Sequence, residues 1–348
     1  MKVLLAYQPG EIRIVEMEKP VPGPHEILCK VAHCGVCATD VAIMKGILNL
    51  GKGNEPIYPV RLGHEWSGTV VEVGEGCWKF KVGDRAISDT GYSCGECEMC
   101  RKGEYQSCLN GRAIGTTGNC WPGGFAEYML VPERIAYKVP DNVGLDVAAL
   151  IEPTSIGYYG LERAGFDATS TLLIVGTGPI SLGGMAVAKA MGIGKTIVAG
   201  RKDAKLEVAK KLGADIVVNM TREDLREVVM RETNGRGCEI VMDSTGAPSL
   251  INDVMELVRG SGKLVIPAFY EQELNHVMLD RIIARNCMII GAAGTPNIGP
   301  KVLTLLESGK LDLSPMITDR FPFSQVEEAF AAVTARNESR VKVMVDFE

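Results

Sequence analysis

The sequence has no long apolar run and no basic patch. None of its apolar runs approaches the roughly 18 residues that a membrane-spanning helix requires, so no membrane partner is expected. The net charge is −6, and lysine and arginine are spread along the chain, which argues against a nucleic-acid partner. Acidic residues soon follow the short apolar start, and no small-residue cleavage site is present, so a signal peptide is not expected. These features predict a cytoplasmic protein.

The eleven cysteines are unevenly distributed, and four of them fall in GYSCGECEMCRKGEYQSC, residues 91–108. A secreted domain built on disulfides is usually shorter and rich in cysteine along its whole length. In a reducing cytosol, the cluster favours a metal over a redox dithiol or structural disulfides. Four thiolates complete the tetrahedral coordination of a structural zinc and leave no open position. We therefore predict a structural zinc bound by Cys94, Cys97, Cys100 and Cys108.

The pattern of apolar residues changes near residue 150. Before it, short segments such as EILCKVAHCGV are separated by turns rich in glycine and proline, which indicates antiparallel β structure. After it, buried-strand runs such as TLLIVGT alternate with helical segments, which is typical of a doubly wound parallel sheet. We predict an α/β protein with an antiparallel β domain over 1–151, a dinucleotide-binding domain over 152–296, and a return of 297–348 to the first domain.

A glycine-rich turn, GTGPIS, joins the first strand and helix of the predicted second domain. In the fingerprint G-x-G-x-x-G, the first glycine permits a tight turn and the second lets the backbone approach a pyrophosphate. Ser181 replaces the third glycine here. Such a turn alone could match by chance, but its place within repeated βαβ units indicates a dinucleotide site. The predicted cofactor-binding residues here are Gly176, Gly178, Pro179, Ile180 and, after a later strand, Ser244.

The end of the next strand bears on which nicotinamide cofactor is used. An acidic residue at this point would bind the ribose hydroxyls of NAD, whereas a nearby cation accommodates the 2′-phosphate of NADP. This sequence has Gly200, Arg201 and Lys202 there. The alternative is an ordinary basic turn at the edge of the sheet. The lost carboxylate and the two cations act in the same direction, so we predict NADP in preference to NAD.

A second set of metal-binding residue types comes from three distant segments. The turn at Cys37, the segment GHEWSG that contains His64, and the pair Glu152-Pro153 offer a thiolate, an imidazole and carboxylates. Three protein ligands with one open position are typical of a catalytic zinc. Each residue also has a plain structural interpretation, since His64 could be a core histidine and Glu152 a helix N-terminal acid. Spacing alone does not join them.

The chain resembles the zinc-dependent medium-chain alcohol dehydrogenases, and within them the sorbitol (polyol) and threonine dehydrogenase branch. The resemblance runs the whole length and rests on several motifs in one order: Cys-x-Thr-Asp at 37–40, GHE-x-x-G at 63–68, VGDR at 82–85, the four-cysteine segment, GGFAEY at 123–128, Glu152-Pro153 and the glycine-rich turn. It implies a GroES-like β domain, a Rossmann domain, a homotetramer or homodimer, and a small-molecule alcohol or ketone substrate.

The resemblance also implies roles for individual residues. Cys37, His64 and Glu152 would be the ligands of a catalytic zinc, with Glu65 as an alternative or neighbouring carboxylate. Asp40 would orient the imidazole of His64. Zinc would then act as a Lewis acid on the alcohol. Thr39 would relay the alcohol proton, and hydride would pass to the nicotinamide. Together with the four-cysteine site, this predicts two zinc ions per chain.

Two departures from the family pattern bear on the substrate. Ala42 stands where many members extend the proton relay with a histidine. Gly294 and Thr295 stand where the polyol enzymes carry an Arg-Tyr pair that binds substrate hydroxyls, so sorbitol itself is not indicated. Trp66, Cys120 and Trp121 are further candidate pocket residues, although Trp66 could equally belong to the core.

The predicted activity is hydride transfer between NAD(P) and a secondary alcohol of a polyol, sugar or sugar acid, or the corresponding ketone. One alternative is an L-threonine 3-dehydrogenase-like enzyme, which would favour NAD. Another is a non-catalytic protein that binds zinc or a cofactor.

Overall fold

The computed structural model describes residues 1–48, 55–116, 120–294, 297–335 and 338–347. The strands in the first half of the described chain are β1 (Lys2–Gln8), β2 (Glu11–Glu16), β3 (Glu26–Val36), β4 (Val60–Arg61), β5 (Glu65–Val73), β6 (Arg85–Ser88), β7 (Gly91–Tyr92), β8 (Arg112–Ala113), β9 (Tyr128–Pro132) and β10 (Ala136–Lys138). The later strands are β11 (Thr171–Val175), β12 (Lys195–Gly200), β13 (Ile216–Asn219), β14 (Cys238–Asp243), β15 (Val258–Ile266), β16 (Met288–Gly291), β17 (Ile317–Pro322) and β18 (Lys342–Asp346).

The described helices fall mainly in the second half of the chain. They are α1 (Ala38–Lys45), α2 (Glu98–Arg101), α3 (Leu145–Ala149), α4 (Ile151–Ala164), α5 (Pro179–Ala190), α6 (Asp203–Lys211), α7 (Leu225–Glu232), α8 (Ile251–Leu257), α9 (Asp280–Arg285), α10 (Gly299–Glu307) and α11 (Val326–Thr334). Every helix in this described part falls short of the length and apolarity needed to cross a bilayer.

The second half contains a parallel sheet with strands in the order β13-β12-β11-β14-β15-β16. This is the order 3-2-1-4-5-6 of a doubly wound dinucleotide-binding sheet, and the order reverses between β11 and β14. Strand β11 is buried along nearly its whole length because helices cover both faces of such a sheet, which explains its continuous run TLLIV. The predicted α/β class and the doubly wound parallel sheet are confirmed.

The first half forms antiparallel sheets around a separate core. The larger sheet runs β10-β6-β5-β3-β18-β17, with β9 also paired to β3, and a smaller one runs β2-β1-β4. Strand β3 is the centre of the larger sheet, because β5, β9 and β18 all pair with it in antiparallel fashion. The predicted antiparallel β domain is confirmed by these pairings.

The C-terminal segment contributes to both halves. Strand β18 pairs antiparallel with β3, and β17 pairs parallel with β18, so both strands extend the larger sheet. Val302, Leu303 and Leu306 of α10 instead pack in the same core as α4 and α5. The predicted boundary between residues 151 and 152 lies within α4, and residues 295–296 at the second boundary lie outside the described residues. The domain limits therefore stay predictions.

Candidate active site

The turn at Cys37 is held by the buried carboxylate of Asp40. Helix α1 begins directly after Cys37, whose backbone N–H donates to Asp40 Oδ2 at 2.9 Å. The other carboxylate oxygen accepts from the backbone N–H of Gly63 at 3.2 Å. Gly63 has φ +99, and a Cβ there would lie 2.7 Å from the backbone nitrogen of Phe125, so a glycine is required. Asp40 thereby joins the Cys37 turn to the segment that carries His64.

These contacts bring together three of the predicted metal ligands. The ligand atoms of Cys37, His64 and Glu65 all lie within 4.8 Å of one another. The set of thiolate, imidazole and carboxylate suits zinc, and it leaves room for a further ligand. Asp40 Oδ1 lies 3.5 Å from His64 Nδ1, which is longer than an ordinary hydrogen bond. This buried nitrogen has no hydrogen-bond partner among the described residues.

Lys342 of β18 neutralises Glu65. Its Nζ lies 2.6 and 2.5 Å from the two carboxylate oxygens, and the side chains of Lys342 and Glu65 are 2% and 1% exposed. Burial alone would lower the pKa of Lys342, but the charges of Glu65, Cys37 and Glu152 outweigh it and raise that pKa. Sequence reasoning missed Lys342, although a single lysine within the apolar strand KVMVD was a signal for an inward-facing charge.

Glu152, on the first turn of α4, faces the same cavity as this cluster. The cavity measures about 510 Å³ and is also lined by Cys37, Thr39 and His64. Burial raises the pKa of Glu152 to about 7, with a further contribution from the nearby charge of Glu65. Its carboxylate is not among the mutually close ligand atoms of the described cluster. The structure thus brings Glu152 to the cavity without placing it in the cluster.

The four cysteines of residues 94–108 form a second cluster. Their sulfur atoms all lie within 4.8 Å of one another, as expected for a set that encloses one metal ion. Backbone N–H groups of Cys94 and Cys97 donate to Sγ of Cys108 and Cys94 at 3.1 and 3.3 Å. Backbone donors, that of Glu96 foremost, lower the pKa of Cys94 to about 6, whereas burial raises the pKa of Cys100 to about 12. Four sulfurs with backbone donors fit a structural zinc.

The glycine-rich turn opens a cleft at the carboxyl ends of the parallel strands. The cleft measures about 1150 Å³ and lies where the strand order reverses between β11 and β14. Gly176 has φ +117, and a Cβ there would lie 2.5 Å from Ser244 Oγ. A Cβ on Gly178 would meet no atom within 4 Å and would project into open space. A dinucleotide fits this turn because the backbone of Gly178 is accessible at the start of α5.

Ser181, which replaces the third glycine, is not a simple packing substitute. It is fully buried, and its Oγ lies 2.5 Å from Ser244 Oγ, which in turn donates to the carbonyl of Val175 at 3.1 Å. The two hydroxyls therefore connect α5, β11 and the end of β14 at the point where the strand order reverses. Ser244, predicted as a cofactor contact, lines both cavities.

Cations gather at the far end of the larger cleft. Gly200 ends β12, and Arg201, Lys202 and Lys205 line the cleft beyond it. Burial, together with the charges of Arg340 and Lys202, lowers the pKa of Lys205. A Cβ on Gly200 would lie 2.6 Å from Thr177 Cγ2, so this position has little room for a side chain.

The two cavities adjoin each other. Gly178, Lys205, Ser244 and Ala335 line both of them. Pro179, Ile180 and Ser181 of the cofactor turn line the smaller cavity together with Cys37 and His64. A dinucleotide bound along the strand ends can thus extend one of its ends to the Cys37 cluster.

Other predicted pocket residues lie elsewhere. Trp66 is buried in the core of the β domain and its indole N–H donates to Ser88 Oγ at 3.0 Å. Trp121 stacks on Tyr92 at a centroid distance of 5.4 Å, and, like Cys120, it is absent from the described lining of the 510 Å³ cavity. The structure thus favours the core interpretation of Trp66 and does not place Cys120 or Trp121 in the described lining of this cavity. Gly294 does line this cavity, whereas Thr295 lies outside the described residues.

Two family models match the chain. The model of the alcohol dehydrogenase GroES-like domain matches residues 23–141, and that of the zinc-binding dehydrogenase matches residues 179–308.

Several characterised dehydrogenases are similar over nearly the whole length. The chain is 34% identical to D-arabitol-phosphate dehydrogenase of Enterococcus avium, covering 99% of this chain and 97% of that protein. It is 32% identical to sorbitol dehydrogenase of Bacillus subtilis with the same coverage, and 34% identical to L-threonine 3-dehydrogenase of Pyrococcus horikoshii, covering 99% of each.

Two solved structures carry nicotinamide cofactors. An Escherichia coli alcohol dehydrogenase complexed with NADH superposes with a TM-score of 0.90 at 30% identity, covering 100% of this chain and 99% of that one. A zinc-binding dehydrogenase of Sinorhizobium meliloti bound to NADP gives a TM-score of 0.90 at 28% identity, covering 99% and 98%.

Proposed function

The chain belongs to the zinc-dependent medium-chain alcohol dehydrogenase family, and from this premise we propose that it oxidises a secondary alcohol of a polyol, sugar or sugar acid with NADP, or reduces the corresponding ketone. The observation that carries the proposal is the shared 510 Å³ cavity, which is lined both by Cys37 and His64 and by Pro179 and Ser181 of the cofactor turn.

We assign the catalytic metal to Cys37, His64 and Glu152, with Glu65 as the alternative carboxylate. Glu65 is already paired with Lys342, whereas Glu152 has no hydrogen-bond or ion-pair partner in the described part of the chain. When bound, zinc supplies a Lewis acid that lowers the pKa of an alcohol, and the nicotinamide accepts hydride. Thr39 lines the same cavity, and its hydroxyl would accept the proton that the alcohol releases. A second zinc at Cys94, Cys97, Cys100 and Cys108 would hold the lobe formed by residues 94–108.

The preference for NADP is supported by the end of β12. Gly200 offers no carboxylate to repel a 2′-phosphate, and Arg201 and Lys202 line the adjacent cleft. The NADP-bound relative from Sinorhizobium meliloti is consistent with this, although the Escherichia coli relative carries NADH. The cofactor-binding backbone would be that of Gly176, Gly178, Pro179 and Ile180, with Ser244 beside it.

The polyol-type substrate is supported by the relatives, which include a sorbitol and an arabitol-phosphate dehydrogenase. A threonine dehydrogenase is the second candidate because such an enzyme is 34% identical over 99% of both chains. The cations beyond Gly200 favour the polyol-type candidate, because they suit NADP, whereas a threonine dehydrogenase would favour NAD. A non-catalytic protein is disfavoured by the convergence of Cys37, His64 and Glu65. Division at 151/152 and 296/297, a homodimer or homotetramer, and a cytoplasmic location stay predictions.

An activity screen of polyols, sugar acids and L-threonine with NADP and NAD tests the proposal, alongside zinc content. We expect Cys37→Ser to abolish activity and to remove about one of two zinc ions per chain. The matched control is Cys287→Ser, since Cys287 lies outside both clusters and its thiol donates a hydrogen bond to the carbonyl oxygen of Arg259. Full activity in Cys37→Ser would overturn the metal assignment. Binding of NAD at least as tight as that of NADP would overturn only the cofactor preference.

A further inference from the structure

Glu338 faces the cations beyond Gly200 in the 1150 Å³ cleft, where the adenosine of the proposed cofactor would lie. It lines the 1150 Å³ cleft together with Lys202 and Lys205, although it lies in the C-terminal segment beyond α11. Its carboxylate is in contact with Lys202 Nζ. The contact joins two segments that are 136 residues apart in the chain. Glu338 therefore places a negative charge beside Lys202, two residues after Gly200.

The other cations of this end are not neutralised. In the described ranges, Arg201 and Lys205 have neither a hydrogen-bond nor an ion-pair partner, and Lys205 is partly buried with Arg340 and Lys202 near it. Glu338 is thus the acid that contacts this group. A 2′-phosphate carries nearly two negative charges, and Lys202 is one of the donors that it would approach.

We propose that Glu338 competes with the 2′-phosphate of NADP for Lys202 and so limits the preference for NADP over NAD. The inference rests on the proposed binding of NADP at Gly200, Arg201 and Lys202. With NADP bound, Lys202 must share its three donors between a phosphate and a carboxylate of the same sign. NAD brings no phosphate to this point, so the Lys202–Glu338 pair stays intact. Glu338 is therefore a specificity-determining residue that acts against the cofactor with the extra phosphate.

The expected effect of Glu338 on binding of the 2′-phosphate is small, because the Lys202–Glu338 ion pair is exposed to solvent. The side chains of Lys202 and Glu338 are 47% and 77% exposed, so the pair is well solvated. Exposed ion pairs contribute about 0.2–1 kcal/mol, which corresponds to about a 1.4- to fivefold change in a dissociation constant.

Calorimetric titration with 2′,5′-ADP and 5′-AMP isolates the contribution of the 2′-phosphate without requiring turnover. We expect Glu338→Gln to lower the Kd of 2′,5′-ADP by about 1.4- to fivefold and to leave that of 5′-AMP nearly unchanged. Glu328→Gln on α11 is the matched control, because it makes the same charge change at an exposed residue outside the described cleft lining. In a Lys202→Met background, Glu338→Gln should have no further effect.

The outcomes separate this inference from the proposed cofactor. Wild-type protein that binds 2′,5′-ADP no tighter than 5′-AMP would refute the preference for NADP itself. If the wild type binds 2′,5′-ADP more tightly than 5′-AMP but Glu338→Gln leaves the ratio of the two Kd values unchanged, the competition by Glu338 is refuted and the preference for NADP stands. A weaker binding of 2′,5′-ADP in Glu338→Gln would also overturn the inference, since it would mean that Glu338 orients Lys202 for the phosphate.

Discussion

Replacing Lys342 by methionine should destabilise the fold, because it leaves the carboxylate of Glu65 buried without its counter-charge. The two side chains are 2% and 1% exposed, and Nζ lies 2.6 and 2.5 Å from the carboxylate oxygens. Breaking a buried pair by removing one partner typically costs about 3–5 kcal/mol. The cost is large because the remaining charge keeps its desolvation penalty and loses the attraction that offset it.

The change in melting temperature can be worked out from the chain length. At about 2.1 cal/mol/K per residue, the 348 residues have an unfolding entropy of about 0.7 kcal/mol/K if they unfold as one unit. A loss of about 3–5 kcal/mol then lowers the midpoint by about 4–7 °C. Scanning calorimetry or a urea titration of the purified variant measures this directly.

The matched control is Lys138→Met on β10. Lys138 pairs with Asp84 at 2.7 Å, but its side chain is 49% exposed, so we expect a loss of at most about 1 kcal/mol. The double variant Glu65→Gln/Lys342→Met should recover part of the stability, because it no longer buries an unpaired charge. If Lys342→Met costs no more than Lys138→Met, or the double variant is less stable than the single one, the reasoning about the buried pair is refuted.

Two further predictions concern the cysteine lobe and Asp89. Cys97→Ser should remove about one zinc ion per chain while Cys37 retains its metal, and loss of both ions in metal analysis would contradict two independent sites. Burial raises the pKa of Asp89 to about 6, although Tyr137 and Lys79 beside it favour the charge. The folded state therefore keeps a proton that the unfolded state loses, so stability should fall by about 2–3 kcal/mol as pH rises from 4 to 6. Asp89→Asn should flatten that slope in urea titrations, and an unchanged slope would count against the assignment.

The local patterns in the sequence predicted the secondary structure and the class of the fold. Runs such as TLLIV are typical of strands that a parallel sheet buries on both faces, and the structure places this run in β11 at the centre of that sheet. The four cysteines were also predictable as a group, because they fall within fifteen residues and a short loop can bring them together. In both cases, the interacting residues are close in sequence or repeat at a regular period.

Contacts between distant segments could not be predicted in this way. Tryptophan is a common residue in substrate pockets, yet Trp66 packs in the core of the β domain and Trp121 stacks on Tyr92. Nothing in the residue types distinguishes these fates, because the choice depends on which sheet face meets which neighbour.

The sequence alone determined the two kinds of sheet, the cysteine cluster and the glycine-rich turn, since their physical causes are periodicity, metal-ligand spacing and backbone freedom. Only the tertiary structure decided that Cys37, His64 and Glu65 meet, that Lys342 neutralises Glu65, and that Glu338 faces Lys202. These contacts join residues up to 277 positions apart, as for Lys342 and Glu65. The energies of these contacts depend on burial and on the distances between charges in the folded protein. Separation along the sequence determines neither quantity.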